Sequence, residues 1–248
     1  MNQARRRSFW LVTFAAALGM AVTGALGFWQ LSRAAQKQQL QEQIDSRRAE
    51  PALSNAQFAA LQTQPNLALH RQVQLSGHWL SQYTVYLDNR QMQGRPGFYV
   101  YTPLALDNGQ GVVLVQRGWV PRHFTDRTQL PPVDTSTKPV SILARVAAAP
   151  ARLYEFAVSA STPAPQGWEL IRQNLDLGAL RLQTGLPLYE LTAVQLGPNS
   201  EGLQRDWPEV GTGVAMHRGY AFQWFALAGL IFLLYVWFQF ITKRVSRA

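Results

Sequence analysis

Met216-His217-Arg218-Gly219-Tyr220-Ala221-Phe222-Gln223-Trp224-Phe225 opens the stretch that decides the fold. The 23 residues from Gly219 to Ile241 contain no Asp, Glu, Lys or Arg. At about 1.5 Å rise per residue such a run reaches roughly 34 Å as a helix, enough to cross a hydrocarbon core of about 30 Å. Lys243, Arg244 and Arg247 follow it at once. Its other end carries His217, Arg218, Tyr220, Gln223 and Trp224, which suit a water–lipid boundary. Toward the other end of the chain a second charge-free segment runs from Ser8 to Gln30, behind Arg5-Arg6-Arg7. A cleaved signal peptide also starts basic and turns apolar. This run, however, exceeds the usual apolar region of about 7–15 residues, and Phe28-Trp29-Gln30 has the makeup of an aromatic belt at a far interface. Gly19, Gly24 and Gly27 are spaced for close packing against another helix.

Both short tails are basic, and cytoplasmic flanks carry the Lys/Arg excess. The expected layout is therefore a basic cytoplasmic tail (1–7), a first transmembrane helix (8–30), an extracytoplasmic domain (31–218), a second transmembrane helix (219–241) and a basic cytoplasmic tail (242–248). In a bacterium that is a multi-pass inner-membrane protein with its main domain in the periplasm. The charge balance agrees. The chain has 248 residues, 23 Lys plus Arg and 14 Asp plus Glu, but the tails hold six of the basic residues and no acid. The interior is only mildly basic, which argues against a nucleic-acid partner. With no cysteine, disulfides, thiolate zinc sites, iron–sulfur centres and thiol catalysis are excluded.

Between the spans the pattern predicts an α+β domain on an antiparallel β-sheet with a few helices. Residues 31–50 read as a polar helix that continues the first span and stops at Pro51. Ser54 is placed to cap a short helix to Leu61. From Leu69 the period becomes two, with Gly77 as a turn. Tyr83–Leu87 is a strand meeting Asp88-Asn89-Arg90. Gly94-Arg95-Pro96-Gly97 reads as a loop, and Phe98–Leu106 as a strand. Asp107-Asn108-Gly109 is a hairpin turn, with Val112–Val115 returning. Val140–Val146 is another strand, 147–166 an irregular loop, Asn174–Gln183 a helix, Leu186–Leu196 a strand and 197–213 a loop. In Arg117-Gly118-Trp119 the glycine is read as supplying backbone freedom, the tryptophan as core and the arginine as a structural hydrogen-bond donor. His70 and His78 flank a strand and read as surface residues, His123 lies in a basic loop, and Asp107, Asp126 and Asp134 read as turn formers. No Gly-x-Ser-x-Gly, His-Glu-x-x-His or phosphate loop is present, so the chain does not read as an enzyme.

Four blocks give the chain a family resemblance. They are Gly27-Phe28-Trp29-Gln30-Leu31-Ser32-Arg33 with Lys37; Asp88-Asn89-Arg90 with Gly94, Gly97 and Thr102-Pro103-Leu104; Val115-Gln116-Arg117-Gly118-Trp119-Val120-Pro121; and His217 to Phe225. In this order, between two flanking spans, they resemble the Surfeit locus protein 1 family of cytochrome c oxidase assembly factors, in its bacterial form. That family usually has an Asn-rich approach to the histidine and an aliphatic residue after it; here Val214-Ala215-Met216 precede His217 and Arg218 follows.

The resemblance implies help in building the catalytic subunit of a haem–copper cytochrome c oxidase. The implied cofactor is haem a, bound transiently with its iron on His217 and passed from haem a synthase toward that subunit. A neutral imidazole is a common axial ligand. Arg218 would pair a propionate, and Tyr220 and Trp224 share the histidine's helix face at i+3 and i+7. If the spans pack together, Trp29, Gln30, Arg33 and Lys37 reach the same boundary. Read without the resemblance, His217 is an interfacial polar residue and Trp29, Tyr220 and Trp224 are belt aromatics in contact with membrane lipid. The alternative function is a protein-binding chaperone or scaffold for the nascent oxidase subunit that never touches haem; a third reading is an envelope sensor or structural protein.

Overall fold

The computed structural model describes residues 3–126, 128–150, 168–207 and 213–241. The tail at 242–248 and most of the expected 147–166 loop lie outside the described residues. The chain divides into two units. One is formed by residues 1–43 and 210–248, the other by residues 44–209.

The first unit is a pair of antiparallel helices. Helix α1 runs unbroken from Gln3 to Ala49, so the polar continuation past the first span is helical as its Ala, Gln, Leu, Lys and Arg content predicts. Helix α5 spans Val214–Val236, with a π-helical turn over Trp237–Ile241. Both are long and apolar enough to cross a membrane, and little of either apolar window is buried. Three of their facing contacts run in antiparallel order. Thr13 Oγ1 and Tyr235 Oη lie 2.9 Å apart, a Cβ on Gly19 would stand 3.4 Å from Ile231, and one on Gly27 would stand 2.7 Å from the Phe225 ring. Phe28 meets the Phe225 ring edge-on at 5.2 Å. Of the three glycines expected to permit packing, Gly19 and Gly27 face α5. Gly24 has nothing near it. Thr23 donates to the Gly19 carbonyl at 2.7 Å, which keeps its hydroxyl satisfied inside its own helix.

The second unit begins as α1 ends. Ser54 caps helix α2 (Asn55–Ala60) through a full capping box with Gln57. A single turn, α3 (Pro65–Ala68), follows. The strands are β1 (Gln72–Trp79), β2 (Val85–Met92), β3 (Arg95–Leu106), β4 (Val112–Pro121), β5 (Val140–Ala147), β6 (Ile171–Arg172) and β7 (Thr192–Gln195). Helix α4 (Leu177–Thr184) lies between the last two. The sheet order is β1-β5-β7-β4-β3-β2-β6, with β1 also pairing β3. Strands β1, β5, β7, β4 and β3 therefore form a closed ring, and β2 and β6 extend it from β3.

The structure departs from the sequence expectation at several points. The sheet is mixed rather than wholly antiparallel, because β7 runs parallel to β4 and β6 parallel to β2. Gly77 is not a turn. It lies inside β1 opposite Leu106, where a Cβ would overlap the Ala105 carbonyl, so only glycine lets β1 approach β3 and close the ring. The loop expected at 94–97 shrinks to a tight turn at Gln93-Gly94, both at positive φ, and Arg95-Pro96-Gly97 already belong to β3. Pro103 is tolerated inside β3 because it falls where that strand changes partner from β2 to β1. The expected strand at Leu186–Leu196 reduces to Thr192–Gln195, with Leu188 bridging Val112. The helix expected at Asn174–Gln183 starts later, because Asp176 accepts the Ala179 amide and acts as its cap.

Val73, Leu75, Leu104, Leu106, Val113, Val115, Ile142, Ala144, Val146 and Ala193 fill one core, and Phe58 of α2 packs into it. Residues of alternate parity, including Tyr101, Val112 and Leu114, pack with Leu177 and Leu180 of α4 on the other side. Strand β3 is covered on both faces and so reads as a continuous apolar run.

Arg117 is fully buried and lies 4.7 Å over the Trp79 ring. It donates to Thr135 Oγ1 at 2.7 Å and to the Asp134 carbonyl at 2.8 Å, and it pairs with Glu201 at 3.1 Å. Arg205 shares that carboxylate at 2.9 Å and donates to the Arg117 carbonyl. Burial pulls its guanidinium below its ordinary pKa, with Glu201 opposing the shift. This is the structural role expected of Arg117, and Trp119 is core as expected. Gly118 is needed for another reason than the one the sequence suggested. Its φ is not left-handed; a Cβ would collide with Leu203.

Candidate functional site

The histidine that drew attention in the sequence stands in the first turn of α5, where the apolar run begins. Its Nδ1 lies 2.7 Å from Oε1 of Gln30 on α1, a bond between residues 187 positions apart. The ring is half-buried. Its amide donates to the Gly213 carbonyl, which starts the helix. Gly213 itself, at φ 65°, offers no side-chain cap.

Gln30, Arg33 and Lys37 recur at i, i+3 and i+7 and so share one face of α1. Lys37 Nζ comes within 3.7 Å of where a Cβ on Gly213 would stand. Arg33 donates to Gln36 on its own helix at 3.2 Å. Arg218 reaches across to Gln38 Oε1 at 2.7 Å. Among the described residues no carboxylate pairs with Arg33, Lys37 or Arg218. Two of the three cations are thus held by neutral carboxamides, which fix a guanidinium without cancelling its charge. Tyr220 and Trp29 are about half exposed, and Trp224 is partly buried.

The hairpin brings together His217, Gln30 and the cations of the expected site. Trp29 and Tyr220 keep about half their surfaces open. Gln38 had no signal in the sequence, since a glutamine in a run of Gln-Gln-Leu-Gln-Glu-Gln looks like solvated helix surface. Phe225, whose ring lies over Gly27 and sets how closely the helices meet, was legible as an apolar residue of the span and as the last residue of the fourth family block, but not as a helix contact.

Among the described residues no group of three or more His, Asp or Glu is placed to hold a metal ion. His123 is bound up in its own turn, accepting from the Asp126 amide at 3.2 Å. His78 faces Asp107 at 3.8 Å and is exposed. His70 is less ordinary than a surface residue. It holds a left-handed φ of 69°, is partly buried, and burial followed by the charge of Arg145, Arg48 and Arg47 lowers its pKa from 6.5.

Two helices long and apolar enough to span a bilayer, flanking a closed mixed-sheet domain in the sequence and meeting at a histidine, define the class: a sheet domain bracketed by two candidate membrane spans. The SURF1 family model matches residues 17–229, and the chain belongs to the SURF1 family, a family of oxidase assembly factors rather than of catalysts. It is similar to a SURF1-like protein of Rickettsia bellii, 26% identical over 85% of this chain and 83% of that protein. A SURF1-like protein of Rickettsia prowazekii is 25% identical over 86% and 83% of the two chains. Surfeit locus protein 1 of Arabidopsis thaliana is 34% identical over 44% of this chain and 33% of its own length.

Proposed function

We propose that this chain assists assembly of a haem–copper cytochrome c oxidase by holding haem a at the membrane interface and passing it to the catalytic subunit. Haem a synthase is the source from which it would receive the group. The observation that carries the reading is His217, whose Nδ1 is engaged by Gln30 while Nε2 has no hydrogen bond to any described residue. A half-buried imidazole with one free ring nitrogen fits an iron ligand. Arg218 and Arg33, held by neutral amides, fit a pair of propionates. Trp29, Tyr220 and Trp224 offer flat apolar surface for a macrocycle and its isoprenoid tail. When bound, the group would supply its own redox-active iron; the chain's part is to bind, orient and release it.

The same reading places residues 8–30 and 219–241 across the inner membrane, both termini in the cytoplasm and residues 31–218 in the periplasm. The low burial of both apolar windows supports their insertion in a bilayer, and the basic flanks support the sidedness. A second reading, a scaffold that binds the nascent subunit without haem, draws on Phe124, whose side chain is fully exposed on a tight loop of the sheet domain. The test is the reduced visible spectrum of full-length protein, purified in detergent from cells that make haem a, beside His217→Ala. A haem a band present in the wild type and absent from the variant is expected. No band in folded wild-type protein would overturn the carrier reading in favour of the scaffold.

A further inference from the structure

We propose that Gln30 is the positioning residue for His217, holding the neutral imidazole as the Nδ1–H tautomer so that the Nε2 lone pair is the one offered to an electrophile. The proposal rests on the ligand reading of His217 but makes a separate claim about the free protein. A carboxamide oxygen carries no proton, so across the 2.7 Å contact the ring nitrogen must donate. A neutral imidazole has one N–H. If that proton is on Nδ1, then Nε2 is bare.

A histidine free in water populates both tautomers. A fixed acceptor selects between them, and at a boundary of low dielectric that selection is stronger than in water. The acceptor here is fixed from below. Gln30 is three residues past Gly27, whose missing Cβ admits the Phe225 ring, and Phe28 meets that ring edge-on at 5.2 Å. Phe225 and His217 lie on the same helix, so the packing that seats the one aligns the other. Gln30 therefore does not need to touch a ligand to matter. It would act through the ring it orients, as the outer hydrogen-bond partners of metal-bound histidines do.

One alternative geometry makes the claim sharp. With the carboxamide turned over, its NH2 would donate to a bare Nδ1, the proton would sit on Nε2, and the coordinating atom would be closed. Gln30→Glu separates the two, because a carboxylate accepts but cannot donate. Gln30→Met keeps length and flexibility and removes a matched acceptor.

The experiment uses full-length protein in detergent, labelled with 15N-histidine, above the imidazole titration range. The His217 ring signals are assigned by their loss in His217→Ala, and helix content is checked by circular dichroism. The wild type and Gln30→Glu are expected to show protonated Nδ1 and unprotonated Nε2, and Gln30→Met to gain the Nε2–H form. A wild-type Nε2–H tautomer, or a Gln30→Met spectrum identical to wild type, would overturn the proposal. Titration with ferric protoporphyrin IX is the second arm. Gln30→Met should bind roughly 10–100-fold more weakly, and Gln30→Glu should retain affinity. Equal affinity in wild type and Gln30→Met, despite a changed tautomer, would also overturn it. A correct tautomer in a wild type that binds no porphyrin would leave Gln30 as the orienting group and sink the ligand reading instead.

Discussion

Gly27→Val tests whether helix packing controls the histidine. A Cβ at Gly27 would stand 2.7 Å from Cε1 and Cζ of Phe225. Carbon atoms rest in contact at about 3.5–4.0 Å, so the helices must open there by roughly 0.8–1.3 Å or the ring must turn away. Gln30 lies less than one turn further along α1. An opening of that size carries the Gln30–His217 contact from 2.7 Å to roughly 3.5–4.0 Å, outside hydrogen-bond range. The packing cost itself is about 1–3 kcal/mol, as for other overpacked sites. The expected outcome is a folded protein with lower thermal stability in which the His217 ring resembles that of Gln30→Met by 15N spectroscopy. The double variant Gly27→Val with Phe225→Ala makes room for the added methyls and should recover the wild-type tautomer. If Gly27→Val alone left the tautomer unchanged, or if the double variant failed to restore it in folded protein, the helix contact would not be what aligns the site.

Two further outcomes follow from the sheet domain. Glu201→Ala removes the carboxylate shared by Arg117 and Arg205, whose side chains are 0% and 2% exposed, and leaves two buried guanidinium groups without a carboxylate partner among the described residues. Breaking a buried pair this way costs about 3 kcal/mol or more, which lowers Tm by roughly 6–12 °C for a domain of this size. A thermal melt of the full-length variant within a degree of wild type would show that the remaining carbonyl and hydroxyl acceptors suffice. His70 predicts a pH dependence. Its folded pKa lies below the unfolded 6.5, first through burial and then through Arg145, Arg48 and Arg47, so protonation favours the unfolded chain. Its contribution is complete above about pH 6.5 and is lost as pH falls through the folded value. His70→Asn, which tolerates the left-handed φ, should flatten Tm against pH in that window; an unchanged slope would assign the dependence elsewhere.

The two long apolar helices, the polar continuation of α1 and the Ser54 cap were legible because each depends on neighbours in sequence. Hydropathy over 23 residues, a serine ahead of a short helical run and a proline after a longer one are local signals. The ring closure was not legible. It depends on Gly77 meeting the Ala105 carbonyl, and an isolated glycine between alternating residues reads as punctuation unless the partner strand is known. The parallel pairing of β4 with β7 was hidden for the same reason, since β7 is only four residues long and joins a strand far back in the chain. At the site, composition marked His217, Arg218 and Gln30 as boundary residues and Arg33 as part of the polar helix beyond the first span, and the resemblance raised them to candidates. Which of them touch could not be read, because a hydrogen bond between positions 30 and 217 depends on the register of two helices, and that register is set by Gly19 and Gly27 rather than by the polar residues themselves.

The choice of a carboxamide beside His217 bears on the proposed carrier role. A carboxylate at position 30 would raise the basicity of the imidazole and tighten its hold on iron, as carboxylate–histidine pairs do at resident metal centres. It would also add an anion to a boundary where Arg33, Lys37 and Arg218 have no acidic partner among the described residues. A neutral amide fixes the ring's orientation with neither effect: the imidazole stays a moderate ligand and the cations stay available to propionates. A chaperone that must release its cargo gains from that combination, since orientation speeds capture while a moderate bond permits departure. Porphyrin titration of Gln30→Glu examines this trade directly. It should bind ferric protoporphyrin IX at least as tightly as wild type and release it more slowly to an acceptor such as apomyoglobin. Release as fast as wild type would mean that the amide serves orientation alone.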